Sequence, residues 1–231
     1  MPPAQNRPEP QLLPGLAVAG VAAAMAAVAL FAWMGATVAA GRLLPFDAGV
    51  RKTVHAWASP SLTAFLRGIT VFGESYFLVP AGAVAVILLL RAGRRRDARL
   101  FVVAALSAEL LSEALKLLFH RARPEPYFGI QAPNTYSFPS GHALVPPCFY
   151  GVLAAIAASR LSRPAARAAV WTGTAVLVAL IGLSRIYLGV HWASDVLAGY
   201  AAAAVWGVSL GAALEWRRRR RRPAQQDRDR V

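Results

Sequence analysis

The sequence predicts an all-α fold: a bundle of six transmembrane helices with an interfacial helix between the first two spans. Three observations carry this expectation. The 231-residue chain is 57% hydrophobic and only 16% charged, whereas a soluble domain lies near ~45–50% apolar and ~25% charged. The apolar residues gather in six runs that approach or exceed the ~20 residues a helix needs to cross the hydrocarbon layer. The formal net charge of +14 sits in short segments between those runs. That pattern fits membrane topology, and no nucleic-acid partner is expected, because binding of that kind calls for a basic patch on a soluble domain.

Residues 1–11 are polar and proline-rich and read as a disordered tail. Residues 12–216 read as one membrane domain and 217–231 as a basic tail. No charge occurs from Pro10 through Gly41, too long a stretch for the ~7–15-residue apolar core of a signal peptide, so Leu13 to Ala39 is the first span. Between residues 42 and 68, Phe46, Val50, Val54 and Trp57 recur at helical spacing among charged residues, as in a helix lying in the interface. His55 belongs to its polar face, and Ser59-Pro60-Ser61 marks a turn. Ile69 to Leu90 is the second span, with Glu74 near one end.

Leu100 to Phe119 is the third span, and it carries Glu109, Glu113 and Lys116. Charges inside a span are costly and usually face the bundle interior. Glu113 and Lys116 are three apart, so they meet on one helical face, and the pair can aim the lysine. The loop 120–140 contains prolines and an asparagine that resist helix. Ala143 to Ser159 is the fourth span, with Pro146 and Pro147 in its first turn. Ala168 to Leu183 is the fifth and Val196 to Leu214 the sixth, joined by the short connection Ser184 to Trp192. The single cysteine, Cys148, lies in an apolar run; it excludes an intrachain disulfide and reads as a packing residue. Arg7, five arginines in 91–99, three in 160–167 and eight in 217–231 make 17 of the 25 lysines and arginines. The positive-inside rule therefore places both termini in the cytoplasm of a multi-pass protein of the cell membrane.

With that topology, three distant segments reach the same, extracytoplasmic face. They are Lys116 with Arg123-Pro124, then Pro139-Ser140-Gly141-His142, then Ser184-Arg185 with His191 and Asp195. Lys116, Arg123 and Arg185 lack a matching outer acidic cluster and make an anion site, Arg offering forked hydrogen bonds to phosphate oxygens and Lys a point charge. Ser140 adds a hydroxyl, and Gly141 lets the backbone approach a ligand at a helix N-terminus. His191 and Asp195 are four apart and share a helical face; a carboxylate there can hold one ring nitrogen and leave the other to attack. His142, from another segment, can act as the acid. No carboxylate set with metal geometry is present, so no metal or other cofactor is implied.

Lys116-(six residues)-Arg123-Pro124, Pro139-Ser140-Gly141-His142 and Ser184-Arg185-(five residues)-His191-(three residues)-Asp195 resemble, in order and in spacing, the three-part signature of the type 2 phosphatidic acid phosphatase (PAP2) superfamily. The resemblance implies a helical PAP2/haloperoxidase-like fold and a lipid phosphatase with an extracytoplasmic site. It implies His191 as nucleophile, Asp195 as its partner, His142 as general acid, and Lys116, Arg123, Ser140, Gly141 and Arg185 as phosphate ligands. Pro146-Pro147 departs from the pattern and bears on how His142 is tilted. The expected substrate is a lipid phosphate or pyrophosphate, such as phosphatidic acid, phosphatidylglycerol phosphate or undecaprenyl pyrophosphate, with surrounding membrane lipids as further partners. A phosphotransferase using the same intermediate is the alternative within the chemistry. A carrier or flippase that binds phosphate without cleaving it is the alternative outside it, and one that needs the cations but not the His–Asp–His set. The six spans set the chain apart from a soluble haloperoxidase-like oxidase.

Overall fold

A computed structural model describes residues 12–131 and 133–226, with side chains placed between residues 22 and 213. Among the described residues the chain is all-helical, with eight helices and no strand. They are α1 (Leu12–Ala39), α2 (Leu44–His55), α3 (Pro60–Val71), α4 (Ser75–Arg91), α5 (Arg95–Phe119), α6 (Gly141–Ala158), α7 (Pro164–Tyr187) and α8 (Ala193–Gln226). The expected tail at 1–11 lies outside the described residues.

Four of these, α1, α6, α7 and α8, are long and apolar enough to cross a membrane; α3 and α4 together make a fifth if their 48° bend is taken as a broken span. α5 fails the same measure because Glu109, Glu113 and Lys116 interrupt it. The multi-pass architecture expected from the sequence is present, and several boundaries move. The interfacial stretch expected over 42–68, with its turn at Ser59-Pro60-Ser61, is two helices, α2 and α3, parted at Trp57–Ser59, where the Ser59 hydroxyl caps α3 by accepting from Leu62 N–H. The second span does not begin at Ile69. α3 runs on to Val71, and Phe72-Gly73-Glu74 turns the chain before α4 starts. His55 is half-buried, and its ring stacks on Tyr127 with centroids 3.7 Å apart, beside Arg51 on the same face of α2. Glu109 lies on the exposed face of α5 instead of facing the interior.

α6 is the centre of the bundle, packed against α5, α7 and α8, while α1 lies along α8, α3 along α7 and α4 along α5. Its residues explain the position. Leu144, Val145, Cys148 and Phe149 are buried in one cluster with Phe101 of α5, Leu78 and Leu89 of α4, and Ala202 and Ala203 of α8. Between helices in lipid, close packing of small residues replaces the aqueous hydrophobic effect as the source of association. α8 meets α6 through such residues, with Ala198, Ala201, Ala202 and Ala203 all buried. Pro146 and Pro147 sit in the second turn of α6, not the first, because the helix starts at Gly141. The helix continues through them to Ala158, at the cost of the two amide donors that proline lacks.

At the tight end of the α6–α8 contact, Gly199 lies where a Cβ would stand 2.7 Å from Ser140 O and 2.7 Å from Ala143 Cβ. Overpacking a site that cannot yield costs typically about 1–3 kcal/mol. Gly199→Ala is therefore expected to lower stability by that order, read as a drop in the thermal unfolding midpoint in detergent. Gly151→Ala, whose Cβ would meet nothing within 4 Å, is the control and should leave the midpoint unchanged or raised.

Candidate active site

The three motif segments converge at one end of the bundle, each brought there by a local chain feature. α5 ends just after Lys116, where His120 adopts the left-handed conformation (φ 48°) and turns the chain into the loop carrying Arg123. α6 begins at Gly141, with Ser140 as its N-cap, and Ser140 N–H donates to Asp195 O at 3.0 Å, tying the start of α6 to the start of α8. α7 runs on to Tyr187, so Ser184 and Arg185 lie in its last turn, not in the connection to α8. Gly189, at φ +75°, then reverses the chain; a side chain there would run into Tyr127. The reversal lets Val190 and His191 N–H both reach Arg185 O, at 3.1 and 3.3 Å.

His191 is 2% exposed and Asp195 is fully buried. His191 Nδ1 lies 3.4 Å from Asp195 Oδ2, and His191 Nε2 lies 3.0 Å from Arg123 Nη1. A guanidinium can only donate, so Nε2 accepts and the ring proton belongs on Nδ1, facing the carboxylate. The tautomer is thus fixed from both sides, with the Nε2 lone pair directed at the cationic group. Burial first, then the charges of Arg123, Arg185, His142 and Lys116, hold the His191 pKa well below the usual imidazole value. The ring is neutral, the form a nucleophile requires. Arg123 itself is anchored by Thr135 O and Oγ1, Tyr136 O and Val190 O.

Lys116 Nζ lies 2.6 Å from Glu113 Oε1, the pairing expected from their spacing. It also stands 3.5 Å from where a Cβ on Gly141 would be, with Ser112 Oγ at 3.2 Å from the same point. Any other residue at 141 would fill the cradle between α5 and α6. Ser140 Oγ, Ser112 Oγ and Arg185 Nε are buried and make no hydrogen bond among the described residues. Unspent polar groups of this kind are costly unless something pairs with them, and Ser112 Oγ shares the Gly141 cradle with Lys116 Nζ.

The expectation that the cations lack matching acidic groups is wrong. Glu74, the N-cap residue of α4, accepts from Arg185 Nη1 at 3.1 Å, and its Oε1 lies 3.1 Å from His142 Nε2, at ion-pair distance but off the line of a ring N–H bond. Thr70 Oγ1 accepts from the same Arg185 nitrogen at 2.7 Å. Gly73 makes room for this, since a Cβ there would lie 2.6 Å from His142 Cδ2. Two of the three expected phosphate cations are therefore paired with carboxylates, Lys116 with Glu113 and Arg185 with Glu74. Glu74 and Thr70 escape sequence reasoning because they lie far from the motifs, with an acidic residue in an apolar stretch as the one signal; Ser112, one turn before Lys116 on α5, escapes because a serine at helical spacing carries no signal of its own. All eight residues expected at the site, Lys116, Arg123, Ser140, Gly141, His142, Arg185, His191 and Asp195, come to this end of the bundle. Among the described residues no group of His, Cys, Asp and Glu has metal-site geometry.

A family profile described as the PAP2 superfamily matches residues 97–221. The chain is 31% identical over 160 residues to phosphatidylglycerophosphatase B of Bacillus subtilis, covering 67% of this chain and 76% of that protein. It is 31% identical to an undecaprenyl-diphosphatase of Sulfolobus acidocaldarius, covering 59% and 65%. Its fold matches the crystal structure of a transmembrane PAP2-type phosphatidylglycerolphosphate phosphatase from Bacillus subtilis with a TM-score of 0.76 at 26% identity, over 83% of this chain and 96% of that one.

The depressed His191 pKa has a thermodynamic consequence. An unfolded chain protonates this ring near pH ~6.5, and the folded chain does not until well below that. As pH falls below ~6.5 the unfolded state binds the extra proton, so stability drops by up to about 1.4 kcal/mol per pH unit. His191→Gln removes that proton uptake. Between about pH 7 and pH 5, the unfolding midpoint of the variant should fall less than that of the wild type. Parallel curves would show that folded His191 takes up its proton at an ordinary pH.

Proposed function

The chain belongs to the PAP2 superfamily and is a membrane enzyme that hydrolyses a lipid phosphate or lipid pyrophosphate; on that premise we propose that the reaction runs through a phosphohistidine on His191 at the extracytoplasmic face. The observation that carries the reading is the fixed tautomer. Nδ1–H of His191 faces Asp195, and the Nε2 lone pair faces the cationic end of the bundle. In the first step Nε2 forms a bond to phosphorus while the bond to the lipid oxygen, or to the leaving phosphate of a pyrophosphate, breaks. Arg123 turns one N–H from Nε2 to a phosphate oxygen. Lys116, Arg185, Ser140 Oγ and the backbone at Gly141 take up the remaining charge, stabilising the transition state as fixed donors do in a water-poor site. His142 gives a proton to the departing oxygen. In the second step it takes one from water, which attacks phosphorus, releases inorganic phosphate and frees Nε2.

The same reading supplies the topology. Six crossings are α1, α4, α5, α6, α7 and α8, within one domain over residues 12–216. α4 and α5 present Val79, Val84, Leu88, Val103, Leu106 and Leu110 outward, an apolar surface suited to lipid. α2 and α3 lie at the interface, beside the site. The arginines at 91–99, 160–167 and 217–222 then fall on the cytoplasmic side with both termini. The substrates are those named by the relatives' chemistry, glycerophospholipid phosphates and polyprenyl pyrophosphates, whose headgroups reach the bundle end while their tails stay in the bilayer.

Two experiments test this. A membrane-impermeant thiol reagent should label a cysteine placed at Asn134 in intact cells and leave one placed at Gly93 unlabelled; the reverse pattern overturns the topology. In single-turnover assays, His191→Ala should abolish phosphoenzyme formation. His142→Ala should slow it about 10²–10⁴-fold for an alkyl phosphate, whose alkoxide needs a proton, and far less for a nitrophenyl phosphate, whose leaving group does not. Equal losses for the two substrates would reduce His142 to a binding residue.

A further inference from the structure

We propose that Asp47 of α2, acting through Arg121 and Ser194, is a positioning residue for the reaction: it holds the guanidinium that aims the Asp195 carboxylate at His191. The inference rests on the catalytic reading of His191 and Asp195 given above.

Asp47 is fully buried, although it stands in the first turn of a short helix whose neighbours are largely exposed. Its carboxylate is saturated. Oδ1 accepts from Ser194 N–H at 2.8 Å, and Oδ2 accepts from Ser194 Oγ at 2.7 Å and from Arg121 Nη2 at 2.6 Å. The other arm of the same guanidinium, Nη1, reaches Asp195 Oδ1 at 2.6 Å and Ser194 Oγ at 2.7 Å. Asp195 Oδ2 is left to Trp192 N–H at 2.9 Å and to His191 Nδ1 at 3.4 Å. Arg121 is itself boxed in, lying across the Trp192 ring at 5.6 Å.

Two buried carboxylates sharing one guanidinium is an expensive arrangement. Burying charge is repaid only by good geometry, and a clamp between α2 and α8 needs no more than Asp47 and the Ser194 amide. The fork explains the extra partner. A guanidinium is planar and rigid, so once Asp47 holds one arm, the direction of the other arm is set. Asp195 is then engaged through Oδ1 alone, and Oδ2 stays turned toward the imidazole. With Asp47 neutral, nothing holds Nη2 away from Asp195. A guanidinium facing one carboxylate prefers to engage both its oxygens, which takes Oδ2 from His191 and releases the tautomer. None of these atoms is among the groups placed around the phosphate, so the effect falls on turnover and not on binding.

The test is a double-mutant cycle on the full chain in detergent, with phosphate release from phosphatidic acid micelles as readout. Asp47→Asn keeps an oxygen for the Ser194 amide and loses the charge. It is expected to lower kcat roughly 10- to 100-fold, the range seen when a group that orients a ligand from behind is removed, with KM unchanged. In an Asp195→Asn background it should lower kcat no further, because the carboxylate it aims is gone. Ser194→Ala, which removes only the hydroxyl shared by Asp47 and Arg121, should give a smaller loss of the same kind if Asp47→Asn does not fold. Equal losses in both backgrounds would mean that Asp47 only caps α8 and would overturn the proposal, as would a rise in KM with kcat intact. Asp195→Asn turning over at the wild-type rate would overturn the catalytic reading itself.

Discussion

A carboxylate behind an imidazole, in a place that water scarcely reaches, is the constraint on which the rest of this structure depends. Asp195 has no exposure and His191 almost none. A buried carboxyl group is tolerated only if its oxygens are paired; the Asp195 side chain takes partners from Arg121, the Trp192 amide and His191, and its main-chain carbonyl accepts from the Ser140 amide. Those partners come from the loop before α6, the turn before α8 and the cap of α6. Satisfying the carboxylate therefore ties the loop before α6 to the start of α8, and the backbone carbonyl of the same residue ties the cap of α6 to both.

The cations follow the same logic. Lys116, Arg123 and Arg185 occupy one end of a bundle whose flanks are apolar, and each is held by polar groups of its own surroundings. Glu113 holds Lys116, the carbonyls of Thr135, Tyr136 and Val190 hold Arg123, and Glu74 with Thr70 holds Arg185. A fixed array of donors stabilises developing charge without having to reorganise at the moment of reaction. Glycines at 73, 141 and 199 keep this array tight, each marking a point where a side chain would meet a residue of the motif segments. The small residues that pack α8 on α6 serve the same end from within the membrane region.

Much of the site was legible from residue type and spacing. Lys116 to Arg123, Ser140 to His142 and Arg185 to Asp195 are local patterns, each weak alone and specific in their order and combination. Charge asymmetry between loops gave a reason to bring them to one face. The all-helical membrane architecture was equally legible, because a long uncharged run in lipid must satisfy its own backbone and forms helix. The break at Phe72-Gly73-Glu74 was not. Hydropathy is blind to a bend that leaves residues apolar on either side, so the second span seemed to begin inside α3.

The sequence by itself therefore determined an all-helical membrane fold and the eight residues gathered at the site, since these rest on local periodicity, composition and short-range spacing, while the family entered as a resemblance of the three motifs to a known signature. Only the tertiary structure decided what holds them. Asp47 and Asp195 are 148 positions apart, Glu74 and Arg185 111 apart, and no periodicity connects either pair. They meet because α2 and α3 fold back against α7 and α8, and because a charge buried there must find its counter-charge wherever the chain can supply one.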